Sequence, residues 1–299
     1  MTTGTDILAA DFVAIQDKAQ SILGIGSGSR GYGQTVQSSD VSIGNIITKA
    51  QWDALRYDIV NIRYHQDGVL PNIITVNRGD PIGYGPSAPN TNYNTLVETA
   101  ITNRFRIATN QSILSPAGSI STSASWTSSA SCVATVTFSN ATDARYFFNS
   151  GGKIRIAALL EGGANTAQVT AWKNIFTSVG SRDFGADTDP NVNYYRMTNS
   201  YQTYYQTSLS TPYSANSFRL EARTNVSDNS LGTATVLNIR LTLADNYTDP
   251  GSPPPGDLVN GTLTISLEEL KAFGELLPAG TGNFTITSPT YSLSAISTS

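Results

Sequence analysis

Apolar residues in the first third of the chain recur at helical spacing. From Thr5 to Leu23, the positions Leu8, Phe12, Ile15, Ala19 and Ile22 follow at intervals of 4, 3, 4 and 3, one stripe along a helix. Gly24 stands where a left-handed C-cap residue belongs. A second helix is expected from Thr48, because Thr48-Lys49-Ala50-Gln51 has the form of a capping box and Trp52, Leu55, Ile59 and Ile62 continue the stripe to Asp67-Gly68. A third opens at Asn92 or Asn94, with Leu96, Val97, Ala100, Ile101 and Phe105 on one side. Long loops rich in Gly, Pro and Asn separate these helices, and such loops usually serve a binding role.

Beyond a Ser-rich passage at 115–131 the period changes to two. Cys132, Ala134, Val136 and Phe138 alternate with Val133, Thr135 and Thr137, and the same period runs through Ile154, Ile156 and Ala158, then Phe218, Leu220 and Ala222, then Leu237, Ile239, Leu241 and Leu243. Four such strands with Gly/Asn turns predict an antiparallel β-sandwich, interrupted by one helix over 167–179 that carries Val169, Trp172, Ile175 and Val179. Residues 249–257 form a Pro/Gly linker. After it, TLTIS and NFTITSPTYSLSAIS read as strands, and Ser266-Leu267-Glu268-Glu269 offers another capping-box start. The predicted class is α+β. A helical attachment module at 1–110 precedes the sandwich at 111–248, and past the linker lies a β-rich tail at 258–299, too small to hold a core alone, which docks on the body or on a neighbour.

Composition narrows the function classes. Charged residues make up only 13% of the 299, against about 25% in an average protein. The net charge is −4 with 14 Tyr and 10 Phe, and the pI is near 5.0. That balance fits neither a disordered chain nor a phosphate-binding surface, so no nucleic-acid partner is expected. A hydroxyl- and Tyr-rich surface with few charges to desolvate suits a chain that lies against other protein. The opening residues lack a basic-then-apolar leader, and no apolar run approaches the length of a membrane span, so the chain is expected to be made in a cytoplasm with no membrane partner.

Candidate chemistry is sparse. Gly26-Ser27-Gly28-Ser29-Arg30-Gly31 matches a dinucleotide fingerprint in form, but it follows a helix instead of a strand, so no nucleotide or other cofactor is expected. His65 is the only histidine and Cys132 the only cysteine, which excludes a zinc set. His65 reads as a cationic or capping residue near a helix C-terminus, and Cys132 as a small core residue. Asp187 and Asp189 mimic the start of a calcium loop, but Val192 and Thr198 stand where glycine and a bidentate glutamate are needed. An Asx/Pro turn accounts for the same residues, and no metal is expected. A glycosidase needs two placed carboxylates, and nothing in the sequence pairs Glu161 with Glu221. The most unusual local feature is a tyrosine cluster. Tyr194, Tyr195, Tyr201, Tyr204, Tyr205 and Tyr213 suit packing, a partner protein or a glycan, since the ring stacks and the hydroxyl bonds.

The stretch from Ile7 to Gly68 (ILAADFVAIQDKAQSILG, GSRGYGQTVQSSDVSIGNIIT, QWDALRYDIVNIRYHQDG), the passage ATDARYFFNSGGKIRIAALLEGG and the ending FTITSPTYSLSAIS together resemble virion structural proteins of contractile-tailed bacteriophages, especially those infecting cyanobacteria. The resemblance is one of phrases, in patches over most of the chain. It implies a non-enzymatic particle component of the tail, neck or baseplate, or a fibre attached there, located in the virion. The expected partners are further copies of the chain, as a trimer or hexamer, and other virion proteins. Leu8, Phe12, Ile15, Tyr32, Trp52, Leu55, Ile59 and Tyr84 are the candidate assembly contacts. The alternative reading is a receptor-binding tail fibre that touches a host glycan through Tyr194, Tyr195, Tyr201, Tyr204 and Tyr205.

Overall fold

A computed structural model describes residues 9–26, 30–42, 45–80, 88–248, 258–278 and 282–299. Leu8, Tyr84, residues 27–29 of the Gly26–Gly31 match and the linker at 249–257 lie outside them. The chain is α+β, with five helices and two antiparallel sheets in a sandwich-like arrangement among the described residues. It divides into two compact units. Unit 1 takes 1–113, 145–152 and 271–287, and unit 2 takes 114–144, 153–270 and 288–299.

In unit 1 the three predicted stripes meet. The helices are α1 (Ala9–Leu23), α2 (Lys49–Asp67) and α3 (Pro89–Thr102). Phe12 meets Trp52 edge-on with ring centroids 5.1 Å apart, and Trp52 meets Tyr93 at 5.3 Å. Leu55, Ile59, Ile62, Val97 and Ala100 complete a fully buried core. The capping box is present in both directions, and Gly68 closes α2 at φ +74°. Two boundaries differ from expectation. α3 starts at Pro89, because proline's fixed φ suits a first turn and its missing N–H costs nothing there. The left-handed glycine after α1 is Gly26 (φ +75°), not Gly24, whose N–H still donates to Gln20 O at 3.0 Å as one more helical bond.

Buried polar side chains hold several of the described loop segments of unit 1. The Asp58 carboxylate accepts the Gln37 and Ser38 backbone N–H groups at 2.9 and 2.8 Å and the Ser38 hydroxyl at 2.5 Å. Asn61 donates to Leu277 O at 3.0 Å and accepts from Leu277 N at 2.6 Å. Asn149 donates to Gly31 O at 2.9 Å. Each pairing gives loop backbone a hydrogen-bond partner on a buried side chain.

Unit 2 holds both sheets. The first contains β1 (Ser112–Trp126), β3 (Lys153–Glu161), β4 (Ser181–Phe184) and β8 (Val259–Ala272), in the order β1-β8-β3-β4. The strands of the second are β2 (Ser129–Thr137), β5 (Gln202–Ser208), β6 (Ser217–Thr224), β7 (Val236–Ala244), β9 (Thr290–Leu293) and β10 (Ser297–Thr298). Their order is β10-β2-β7-β6-β5, with β9 also paired to β2. The expected alternation sets Cys132 opposite Leu241 and Leu220 opposite Leu241, all inward. Helix α5 (Ala167–Val179) presents Trp172 to Trp126 at 5.9 Å and Phe176 to Phe218 at 6.1 Å.

Three features depart from expectation here, each for a physical reason. Ser266–Glu269 does not start a helix. Leu263, Ile265 and Leu267 keep a period of two inside β8, where strand pairing on both sides outweighs a local capping signal. The Ser-rich passage is strand β1 and the start of β2, because alternating Ser, Thr and Ala hide a period that hydrophobicity alone cannot show. Helix α4 (Ala141–Asn149) lies outside the predicted elements, although Asn140 Oδ1 accepts Asp143 N at 2.9 Å as a cap. The residues after the linker are shared out: β8, β9 and β10 pair in unit 2, while 271–287 belongs to unit 1.

Candidate functional site

Three neighbouring segments of unit 2 converge on one cavity of about 320 Å³. The β3–β4 pairing sets Arg155 opposite Asp183 and Ile156 opposite Arg182. Arg155 donates Nε and Nη2 to the two Asp183 oxygens at 2.7 and 3.3 Å. That fork holds the Arg155 guanidinium above its ordinary pKa. After β4 a turn supplies Thr188 and Asp189, which also line the cavity. The Asp189 Oδ1 accepts Asn191 N at 2.6 Å and Val192 N at 2.8 Å, an Asx turn that accounts for these residues without calcium.

The opposite wall comes from β5 and depends on a bulge. Thr203 pairs with Glu221 and Tyr205 with Leu220, so Tyr204 is an extra residue. Strict alternation would send Tyr204 and Tyr205 to opposite faces. The bulge lets both line the same cavity. The Tyr204 ring packs edge-on against Phe184 at 5.4 Å. Arg182 lies over the Tyr205 ring at 4.0 Å from its centroid and donates to the Tyr205 hydroxyl at 2.9 Å.

Two donors of the lining residues, one on β5 and one on β4, are left over. The Tyr204 hydroxyl and Arg182 Nε are both buried without a hydrogen-bond partner. Burial pushes the Tyr204 phenol well above its ordinary pKa, so it remains an O–H donor at any physiological pH. Leaving a buried donor unpaired costs about 1–3 kcal/mol, which makes the pair the least satisfied polar feature of this wall.

The structure redistributes the residues singled out from sequence. Tyr194 and Tyr195 are buried, and Tyr194 donates to Ala234 O at 2.9 Å, so they are core residues and not glycan contacts. Tyr201 lies beneath Arg240 and Arg223, 3.9 and 4.5 Å from its ring centroid. Tyr213 packs on Tyr247 at 4.8 Å. Only Tyr204 and Tyr205 are brought together at the cavity. Their partners Arg155, Arg182 and Asp183 carried no signal in the sequence, because a β-bulge and an inter-strand register put them there.

The candidate assembly contacts are corrected in the same way. Phe12, Ile15, Tyr32, Trp52, Leu55 and Ile59 are all buried within unit 1, where the amphipathic stripes satisfy one another. His65 is corrected too. It is fully buried, stacks on Phe284 at 4.4 Å and shares a 2.9 Å hydrogen bond between Nε2 and Ser150 O. Desolvation lowers its pKa to about 4, so it is neutral rather than cationic. Cys132 is buried as expected, its thiol pushed up by burial and donating to Ser294 O at 3.3 Å. Glu221 is committed to Arg240 at 2.7 Å and to Arg219 at 3.5 Å.

Among the described residues no group of three or more His, Cys, Asp or Glu is placed to hold a metal ion. No described helix is long and apolar enough to cross a membrane. No protein-family model, no curated protein and no solved structure matches this chain.

Proposed function

We propose that this chain is a non-enzymatic structural subunit of a tailed-phage virion, built into the tail, neck or baseplate through protein–protein contacts. The observation that carries the reading is strand β1. It runs 15 residues along the edge of its sheet, pairs with β8 alone among the described residues, and holds no charged residue. An edge strand offers a row of free backbone N–H and C=O groups, and chains that must stay monomeric blunt such edges with Lys, bulges or short length. β1 has one such device, Pro116, near its start. Seven of its 15 residues are Ser or Thr, whose hydroxyls can hydrogen-bond to a covering strand and carry no charge to desolvate. An uncharged, hydroxyl-rich edge suits lasting contact with further copies of this chain, as a trimer or hexamer, or with another virion protein. The phrase resemblance to contractile-tailed phage proteins and the low charge of the whole chain point the same way.

The test is mass in solution together with position in a particle. Light scattering of the purified chain is expected to give a trimer or hexamer, and Ser119→Lys with Ser121→Lys to shift it towards monomer. Mass spectrometry of purified phage particles should find the chain at a fixed copy number. A folded monomer at all accessible concentrations, together with absence from particles, overturns the proposal.

A further inference from the structure

We infer that the β4–β5 cavity binds one neutral sugar ring of a glycan. The inference concerns unit 2 alone and is independent of the virion reading. Its basis is a mismatch between donors and acceptors in the wall. The Tyr204 hydroxyl and Arg182 Nε belong to lining residues and are buried and unpartnered, so an occupant that reaches them with acceptor oxygens would satisfy both. Asp189 also lines the cavity, and its backbone N–H partners both bond to Oδ1, so Oδ2 is an acceptor to which the same occupant can donate. A sugar hydroxyl does both at once.

Charge selects against an acidic ligand. The lining carries two guanidiniums, Arg155 and Arg182, and two carboxylates, Asp183 and Asp189, which cancel. Arg155 is already neutralised by Asp183 through two hydrogen bonds. Arg182 spends its charge on the Tyr205 ring and hydroxyl. An anion would gain nothing from a balanced wall and would meet the Asp189 carboxylate. A neutral polyol loses less hydration on entry and can bridge the two kinds of group. Size agrees as well: about 320 Å³ lies at the small end of ligand sites, which suits a small occupant. Ser181 and Thr188 add hydroxyls around the rim.

The bulge makes the site a construction of the fold. Without the extra residue at Tyr204, β5 would give the cavity one tyrosine and present the other to the opposite face. Tyr204 would act by direct hydrogen bonding, while Tyr205 fixes the Arg182 guanidinium across its ring.

The experiment is a glycan array of neutral and acidic oligosaccharides, followed by saturation-transfer NMR with the methyl glycosides of the sugars that score. Full-length protein is used, with Tyr204→Phe and Arg182→Gln. Binding of at least one neutral glycoside is expected, weakened about tenfold by Tyr204→Phe, the size of one lost hydrogen bond to a ligand. Arg182→Gln should weaken it as well. Tyr204→Phe removes only an unpaired hydroxyl, so its thermal midpoint should be unchanged or higher, and the variant remains a folded probe. Both variants should keep the wild-type mass in light scattering, which separates failure of this site from failure of the assembly reading. The inference is overturned if no neutral glycan binds, if acidic glycans bind in preference, or if binding is indifferent to both substitutions.

Discussion

Lowering the pH from 7 to 5 should destabilise unit 1 through a single residue. His65 is the only histidine in the chain. Its Nε2 is hydrogen-bonded to Ser150 O, which leaves Nδ1 buried with no partner. Tyr32 and Phe284 flank the ring at 5.0 and 4.4 Å. A proton on Nδ1 would therefore place a charge among aromatic rings with nothing to solvate it. Burial lowers the pKa from 6.5 to about 4. Because the folded value lies below the unfolded one, the unfolded chain binds the proton more readily. Stability is fully present above about 6.5 and is lost as the pH falls through the window down to about 4. At pH 5 the unfolded imidazole is almost wholly protonated and the folded one hardly at all, a difference of about 2 kcal/mol between pH 7 and pH 5. Asp58 acts in the opposite sense, because burial raises its carboxyl pKa and protonation then favours the fold. It is present in wild type and variant alike, so it cancels in the comparison. The assay is hydrogen exchange of the α2 amides in wild type and His65→Gln at both pH values, with the lone imidazole proton followed by NMR. Wild type should lose about 2 kcal/mol more than the variant. An imidazole titrating near 6.5, or equal losses in both proteins, would refute the argument.

Four further outcomes are expected from the same packing. Thr48→Ala removes the hydroxyl half of the α2 capping box and should cost about 1 kcal/mol in urea unfolding, with Thr48→Ser restoring most of it. Trp52→Ala empties the contact with Phe12 and Tyr93 and should cost about 3–5 kcal/mol, enough to lower the expression of folded protein. Gly151 sits at φ +85°, and a Cβ there would lie 2.9 Å from Phe105 O, so Gly151→Ala should lower stability by about 1–3 kcal/mol in thermal unfolding. Glu221→Gln uncouples the cross-strand pair with Arg240 and should cost about 1 kcal/mol, shrinking with added salt.

Signals local to the chain determine many elements of this protein. The stripes Phe12/Ile15/Ile22 and Trp52/Leu55/Ile59/Ile62 specify two helices and their buried faces, because a period near 3.6 allows only one side to be apolar. The Thr48–Gln51 box and Gly68 mark where α2 begins and ends. Alternation at Cys132–Phe138, Ile154–Ala158, Phe218–Ala222 and Leu237–Leu243 specifies strands with one inward face, since side chains there repeat every two residues. Tertiary structure decided whatever depends on a partner distant in the sequence. Whether the apolar stripes face a neighbour or one another is a question of packing, and they face one another. Whether Ser266–Glu269 caps a helix or continues a strand was decided by the flanking strands β1 and β3. His65 became neutral because burial beside Phe284 and Tyr32 desolvates the ring, outweighing the hydrogen bond to Ser150 O, 85 positions away, which favours the charged form. The tyrosine cluster was visible as composition, but its division was not. Tyr194 and Tyr195 went to the core, while one extra residue in β5 turned Tyr204 and Tyr205 together towards Arg182 and Asp183, a juxtaposition that exists only through strand register.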